Sequence, residues 1–315
     1  MTSVAVLGQP YWGRQIARAL DAPTRGMRAA FVPQRSYPWL LSRPRSNPVL
    51  LMRVGYRIGA TTTRGRLFDA YWSFLRRTFR SAAACHYWLG SDVMDTIDEA
   101  RAGTLRRAAL LSTRDDLHLA DAPWLASELE SVGISAVTAH VPVPHRAPTS
   151  PPSLPTQFGV LTYLAANRFG FYGGDAILET ARRLPDVCFD VVGTTGAPDR
   201  QSPPNVRWHG WVTDMPGFYA ATTVVVRIPR HDGLGETVIE GLLSARHVLY
   251  THELPFVRRV SPATPDALVA ALGALRDDHL AGRLTANLAG RAYALEEFDE
   301  ARLTSQLAAL VRERA

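Results

Sequence analysis

The sequence predicts an α/β protein built from two doubly wound domains. Three observations carry this reading. The 315 residues are enough for two cores of ordinary size. Both halves alternate short apolar β-runs with amphipathic helical periods, the pattern of parallel sheets with crossover helices. Between them lies RAPTSPPSLPTQ, residues 146–157, rich in Pro, Ser and Thr and without apolar period, which reads as a linker.

Composition narrows the functional classes. A hydrophobic fraction of 46% and a charged fraction of 20% are those of a globular protein rather than a disordered one. No apolar run reaches the roughly 18 residues a membrane span needs. The opening MTSVAVLG lacks a basic leader region and reads as a first strand, not a signal peptide. Cys85 and Cys188 fall in predicted strands of different halves, so they read as small core residues rather than a disulfide. The expected location is cytoplasmic, with the inner face of the membrane left open. Net charge is +6, and all 35 basic residues are Arg. Any phosphate clamp must therefore use Arg forks, backbone amides or hydroxyls. A basic balance suits an anionic small molecule or a membrane surface. Nucleic acid is disfavoured, because zinc spacing, RNA-binding signatures and a base-reading basic helix are all missing.

The first half opens with a predicted strand, Val4–Leu7, then the loop Gly8–Gly13, a helix to about Leu20 and a strand over Met27–Val32. The spacing of Gly8 and Gly13 is not a dinucleotide fingerprint. Residues 34–48 form a proline-rich loop in which Arg35, Arg43 and Arg45 surround Tyr37, Trp39, Leu40 and Leu41, a candidate for membrane or acceptor contact as well as for local packing. Leu67, Tyr71 and Leu75 recur at helical spacing, and Phe68, Trp72 and Phe79 widen the stripe, predicting a helix over 66–80 that covers a sheet, with membrane contact the competing reading because Arg66, Arg76, Arg77 and Arg80 crowd its ends. The strand Ala84–Leu89 ends in Gly90-Ser91-Asp92 before a helix over Val93–Glu99. That places these residues at the carboxyl edge of the sheet, where open α/β sheets bind ligands. His86 reads either as a hydroxyl-orienting group or as a buried core histidine, and Asp92 either as a proton acceptor or as an N-cap. A strand over Leu117–Asp121, a helix over Pro123–Val132 and a strand over Ala136–Val141 complete the half.

The second half begins with a strand, Phe158–Leu164, and a loop, Ala165–Gly174, that holds Arg168. A helix over Asp175–Leu184 with Asp175 as its N-cap, a strand over Val187–Gly193, the run Val206–Trp211, a short helix over Met215–Ala220 and a strand over Thr222–Ile228 follow. Next come the turn His231–Gly235, a helix over Glu236–Ala245 and a strand over His247–Tyr250. Helices over Pro265–Leu275, Leu280–Glu296 and Glu300–Val311 end the chain. The glycine turn is the chemical centre of this reading. Gly233 and Gly235 let backbone N–H groups approach an anion at a helix start. Glu236 and Glu240, four residues apart, share a helix face, and a carboxylate just inside such a helix suits a ribose diol.

The run Asp232-Gly233-Leu234-Gly235-Glu236, three residues, Glu240-Gly241 resembles the acidic motif of retaining GT-B glycosyltransferases of the glycosyltransferase group 1 (GT4-like) family. That family usually has Glu-Gly-Phe-Gly-Leu, three residues, Glu-Ala. The resemblance implies a GT-B fold, with two Rossmann-like domains facing each other across a cleft. An acceptor-side domain would span 1–145, a linker 146–157, a donor-nucleotide domain 158–296, and a C-terminal helix, 297–315, would cross back. It implies transfer of a sugar from a nucleoside diphosphate sugar to a hydroxyl of a glycan, lipid or natural product, with retention and without metal or other cofactor. Asp232 would lie beside the donor sugar and Glu240 would hold the ribose. Gly233, Leu234, Gly235, Glu236 and Thr237 would cradle the diphosphate, His86 and Asp92 would serve the acceptor side, Gly8 would face the cleft, and Trp211 and Val212 would meet the base. The family's diphosphate clamp is an Arg and a Lys after the second domain's first strand. The Lys place is Tyr172 here and the Arg place Asn167 or Arg168, so Arg168 takes the phosphate role, with Arg227 or Arg230 compensating for the Lys. A GT-B epimerase and a non-catalytic nucleotide-sugar binder are the competing readings.

Overall fold

The computed structural model describes residues 2–22, 26–33, 49–59, 62–145 and 147–315; the side chain of Arg64 is not described. The arginine- and proline-rich loop 34–48 and the linker's Arg146 lie outside the described residues. The chain forms two units. The first comprises Met1–Pro144, Asp232–Leu234 and Asp299–Ala315, and the second His145–His231 and Gly235–Phe298.

In the first unit a parallel six-stranded sheet runs in the order β2-β1-β3-β4-β5-β6. Its strands are β1 (Thr2–Gly8), β2 (Met27–Phe31), β3 (Leu50–Val54), β4 (Ala83–Trp88), β5 (Leu117–Ala120) and β6 (Val137–Thr138). Its helices are α1 (Pro10–Leu20), α2 (Thr63–Thr78), α3 (Ser91–Arg101), α4 (Arg107–Leu111) and α5 (Pro123–Glu130). Alternation along each strand sends side chains to opposite faces. One face packs Val4, Val6, Met52, Cys85 and Tyr87 against Ile16 and Leu20 of α1 and against Leu307, Ala308 and Val311 near the C-terminus. The other face packs Ala5, Leu7, Leu51 and Ala84 against Phe68, Trp72 and Leu75 of α2.

Strand β3 is missing from the sequence-based reading, although all five of its residues are buried and it pairs with both β1 and β4. Arg53 interrupts its apolar run. That side chain is 2% exposed, pairs with Asp69 at 2.8 Å, donates from Nε to the Tyr56 carbonyl at 3.0 Å and lies over the Phe68 ring. A buried charge held by a carboxylate, a carbonyl and a ring is compatible with a central strand, but it hides the strand from an apolar count. The helix α4 was likewise not predicted, and the expected strand over Ala136–Val141 shrinks to β6.

The second unit's sheet has β7 (Gly159–Tyr163), β8 (Cys188–Val192), β9 (Val206–Trp208), β10 (Val224–Arg227), β11 (His247–Tyr250) and β12 (Arg258–Arg259). Its order is β12-β11-β10-β7-β8-β9, all parallel. Helices α6 (Gly174–Arg183), α7 (Met215–Ala220), α8 (Glu236–Leu243), α9 (Pro265–Leu280) and α10 (Leu288–Glu297) accompany it, and α11 (Glu300–Arg314) belongs to the first unit. Val160, Phe189, Val191, Val224 and Val226 of the sheet pack on Ile177 and Leu178 of α6 and on Leu268 and Leu272 of α9. Asp175 is not the N-cap of α6. Gly173, in the left-handed conformation, takes that place, and Asp175 in the first turn holds Arg200 instead. The penultimate helix starts at Leu288 rather than Leu280, because α9 runs five residues further than its apolar period suggested. Both cysteines are free.

The strand orders locate a switch point in each sheet. In an open α/β sheet the binding crevice lies at the carboxyl ends of strands where the chain direction of winding reverses. In the second unit this is between β7 and β10, and in the first between β1 and β3.

Candidate functional site

At the switch point of the second unit, the loop after β7 carries Arg168 and the loop after β10 leads into α8. Two contacts fasten these loops together. The Arg230 N–H donates to the Phe171 carbonyl at 2.7 Å. Gly173 sits so close to Ile228 that a Cβ there would lie 2.7 Å from its side chain. The aromatic ring of Tyr172 then gathers two cations: the Arg168 guanidinium lies 5.9 Å from its centroid and that of Arg227 5.5 Å. Arg168 also stacks on Phe171 at 3.8 Å. Tyr172, which stands where the resembled family has lysine, is therefore a platform for two arginines rather than a charge itself.

Arg227 runs on to the start of α8. Gly235 is the N-cap of this helix, and any Cβ on it would collide with the Arg227 side chain. The glycine thus lets a guanidinium and a helix N-terminus share one spot, an arrangement that attracts an anion. Within the first turn, the Thr237 hydroxyl oxygen is buried without a hydrogen-bond partner among the described residues. A buried hydroxyl left unmatched is costly unless a ligand completes it. Glu240 follows at the next turn. Its Oε2 accepts from the Tyr219 hydroxyl at 2.6 Å, and burial raises its pKa while that hydrogen bond opposes the rise. Tyr219 was not singled out by the sequence. It is 3% exposed and fixes the rotamer of the carboxylate. Further along the same unit, a cavity of about 560 Å³ is lined by Trp211, Val212, Asp190, Arg207, His209 and Phe218. Trp211 is 78% exposed, so its indole offers a free stacking face. The structure thus brings Arg168, Arg227, Gly235 and Thr237 to one switch point and leaves Trp211 and Val212 on the rim of the cavity.

The remaining candidates belong to the first unit. Gly8 has φ +130°, and a Cβ there would lie 2.1 Å from the Val54 carbonyl oxygen, so close backbone packing of β1 on β3 already demands glycine. His86, expected as an acceptor-side group, is 2% exposed. Its Nε2 meets Asp116 at 3.0 Å, its ring stacks on His118, and burial pushes its pKa down to about 3. It occupies the sheet interior, and its Nδ1 is enclosed. Asp92 is not the N-cap of its helix, since Gly90 is. The carboxylate turns back to accept from the N–H groups of Leu89, Gly90 and Val93 at 3.0, 2.9 and 3.1 Å. Burial raises its pKa against these bonds, and its lone pairs are largely committed.

The turn Asp232–Leu234 groups with this unit. The Trp124 indole N–H donates to the Asp232 carbonyl at 2.9 Å, and Gly233 lies on the backbone of Leu89 and Gly90. Beneath it sits Asp121, at the carboxyl end of β5 and 5% exposed. It accepts from Val141 N–H at 2.9 Å and from Leu234 N–H at 3.4 Å. Burial lifts its pKa to about 7; the two N–H groups oppose this, and the charges of Asp232 and Asp92 add to it. Sequence reading passed over Asp121 because it looked like the end of a strand.

A stability prediction follows. The folded pKa of Asp121 lies above its ordinary value near 3.8, so its contribution is fully present below about pH 4 and disappears as pH rises through 7. Chemical denaturation between pH 4 and 8 should show the parent protein losing stability, by up to roughly 4 kcal/mol, relative to Asp121→Asn. Asparagine keeps an acceptor for Val141. Parallel pH profiles for the two proteins would contradict the assignment.

Among the described residues, no cluster of three or more His, Cys, Asp or Glu side chains could hold a metal ion, and no helix is long and apolar enough to cross a membrane.

No protein-family model matches this chain, and neither does any curated protein. Solved structures do. The chain is similar to Alr3699/HepE of Anabaena in complex with UDP-glucose, at 11% identity and TM-score 0.68, covering 99% of this chain and 100% of that one. It is similar to sucrose-phosphate synthase from Thermosynechococcus elongatus, at 12% identity and TM-score 0.70, covering 99% of both. It is similar to TarM at 12% identity and TM-score 0.60, covering 87% of this chain but spanning only 57% of TarM. At these identities the likeness carries architecture alone: two doubly wound parallel sheets in the GT-B fold.

Proposed function

We propose that the protein is a glycosyltransferase that moves a sugar from a nucleoside diphosphate sugar to a hydroxyl acceptor, with retention of configuration and without a metal ion. The observation that carries this reading is the second unit's switch point. There Arg168 and Arg227 gather on Tyr172 beside a glycine-capped helix N-terminus. Cleaving the donor's anomeric bond leaves a diphosphate with growing negative charge. Guanidinium groups and a helix dipole aimed at that charge supply the stabilisation a divalent ion gives elsewhere. Thr237 would complete its hydroxyl on a phosphate oxygen. Glu240, held by Tyr219, would accept from the ribose hydroxyls, and Trp211 with Val212 would border the base. Asp232 is the carboxylate proposed beside the sugar. Two neighbours support the substrate class, since Alr3699/HepE was solved with UDP-glucose and WaaB is a lipopolysaccharide outer core galactosyltransferase.

The replacement of the family's lysine by Tyr172 favours a second reading, a protein that binds nucleotide sugars without turning them over. Thermal-shift measurements with UDP-, GDP-, ADP- and TDP-sugars test both. Saturating donor should raise the melting temperature by several degrees, and the nucleotide that does so names the base. Slow release of nucleoside diphosphate from that donor supports transfer, tight binding without release supports the second reading, and no stabilisation by any of the four removes both.

A further inference from the structure

The geometry points to His140 as the base that takes the proton from the acceptor hydroxyl. This inference rests on the transfer reading above and names a residue which that reading lacks. His140 stands just beyond β6, at the carboxyl edge of the first unit's sheet. The turn Asp232–Leu234 is seated at the same edge, on Leu89 and Gly90 after β4 and on Asp121 after β5.

The segment around His140 is fixed residue by residue. The Ala139 N–H donates to the Ala120 carbonyl at 2.8 Å, and the Ala139 carbonyl accepts from the buried Tyr87 hydroxyl at 2.7 Å. The Val141 N–H donates to Asp121 Oδ1 at 2.9 Å. Between them, His140 Nδ1 lies 2.6 Å from the Asp121 carbonyl oxygen. A carbonyl only accepts, so Nδ1 carries the hydrogen and donates it. That fixes the tautomer: in the neutral ring the lone pair is on Nε2, as a general base requires. Asp121 therefore has two roles. Its carbonyl orients the imidazole, and its carboxylate accepts from the Leu234 N–H at 3.4 Å, in the turn that carries Asp232. One residue thus ties the base to the carboxylate proposed beside the sugar.

Other titratable groups near this edge are unsuited to the task. Asp92 and Asp121 are buried, and their oxygens are committed to backbone N–H groups. His86 is enclosed in the sheet interior. His140 is only half-buried, so part of it stays accessible to a substrate. As the acceptor oxygen bonds to the anomeric carbon, its proton passes to Nε2. The bond from the anomeric carbon to the diphosphate oxygen breaks, and the nucleoside diphosphate leaves with the electron pair. The imidazolium then gives its proton to water, which restores the base.

Release of nucleoside diphosphate from UDP-, GDP-, ADP- and TDP-glucose tests the assignment, with water as the acceptor. His140→Asn keeps a side-chain N–H for the Asp121 carbonyl but has no base. On the donor that the parent protein cleaves, kcat should fall by about a hundredfold or more, with KM and the melting temperature unchanged. His140→Ala should fall equally and recover by about tenfold when free imidazole is added, which a purely structural role does not allow. Parental kcat in His140→Asn would overturn the proposal and leave the departing diphosphate to take the proton. So would a raised KM at unchanged kcat, or a His140→Ala protein that imidazole fails to revive. Each of these leaves sugar transfer standing. A parent protein that releases diphosphate from none of the four donors would instead remove the transfer reading, and the base with it.

Discussion

Glu240→Ala should abolish most donor binding. If Glu240 accepts from two ribose hydroxyls, the substitution removes two hydrogen bonds to a charged group. Each contributes roughly 1.5–3 kcal/mol, so affinity should fall by at least about a hundredfold. The loss should appear in calorimetric titration with the stabilising nucleoside diphosphate itself, without any sugar. The rate at subsaturating donor should fall with it, through KM rather than kcat, since the lost binding energy is common to the ground state and the transition state. Tyr219→Phe gives the more discriminating result. The phenol touches Glu240 at 2.6 Å and is buried, so its role would be to hold the carboxylate in one rotamer. Removing it should weaken nucleotide binding by about tenfold or less. Glu240→Gln retains an acceptor for Tyr219, so it separates folding from binding: stability should hold while nucleotide affinity drops. Unaltered affinity in Glu240→Ala would end the assignment of this helix to the nucleoside.

The extent to which the sequence disclosed this arrangement depends on what each residue does for the chain. Strands β7, β10 and β11 were legible because a largely buried strand is a short apolar run, and β8 because the buried Phe189 and Val191 alternate with the half-buried Cys188 and Asp190. Helix α8 was legible because glycines precede a clear 3.6 period. Strand β3 was not, because Arg53 breaks its run and its partners Asp69, Tyr56 and Phe68 are close only after folding. The caps were misplaced in a consistent way. Asp92 and Asp175 looked like N-caps, yet Gly90 and Gly173, both at positive φ, hold those positions. Glycine adopts that backbone at no steric cost, and the neighbouring carboxylate is then drawn into the first turn by backbone N–H groups or by a distant arginine. The proposed anion site was half legible. Its glycines and acids announce themselves by spacing, whereas the convergence of Arg168 and Arg227 on Tyr172 joins residues some sixty apart and follows only from the sheet order. His86 took the second of its two readings, the buried core histidine. Chemistry-bearing residues attract attention in a sequence, but alternation along β4 directs this one inward, onto His118 and Asp116.

The second large effect is expected from the turn itself. Gly233→Ala would place a methyl group 2.1 Å from the Leu89 carbonyl oxygen and 3.3 Å from Asp121 Oδ2. The first obstacle is main chain, so no side-chain rotation relieves it. Gly90 meets the same contact from the other side, its own Cβ position lying 2.7 Å from the Gly233 nitrogen. Two backbones are in contact here, and any side chain between them must push Asp232–Leu234 outward. That displacement would break the Trp124 bond to the Asp232 carbonyl and the Leu234 N–H bond to Asp121. Overpacking and two lost hydrogen bonds together should destabilise the fold by about 3 kcal/mol. Catalysis should fall as well, even in the molecules that stay folded, because a shift of about 1 Å in a reacting group costs on the order of a hundredfold in rate. Gly196→Ala is the matched control: nothing lies within 4 Å of its Cβ position, so that variant should melt and turn over like the parent protein. Urea titration followed by far-ultraviolet circular dichroism, beside a rate measurement below the melting transition, separates the two losses. A Gly233→Ala protein with parental stability and parental rate would mean that the turn is free to move away from β4, and that its tight seating has no part in the reaction.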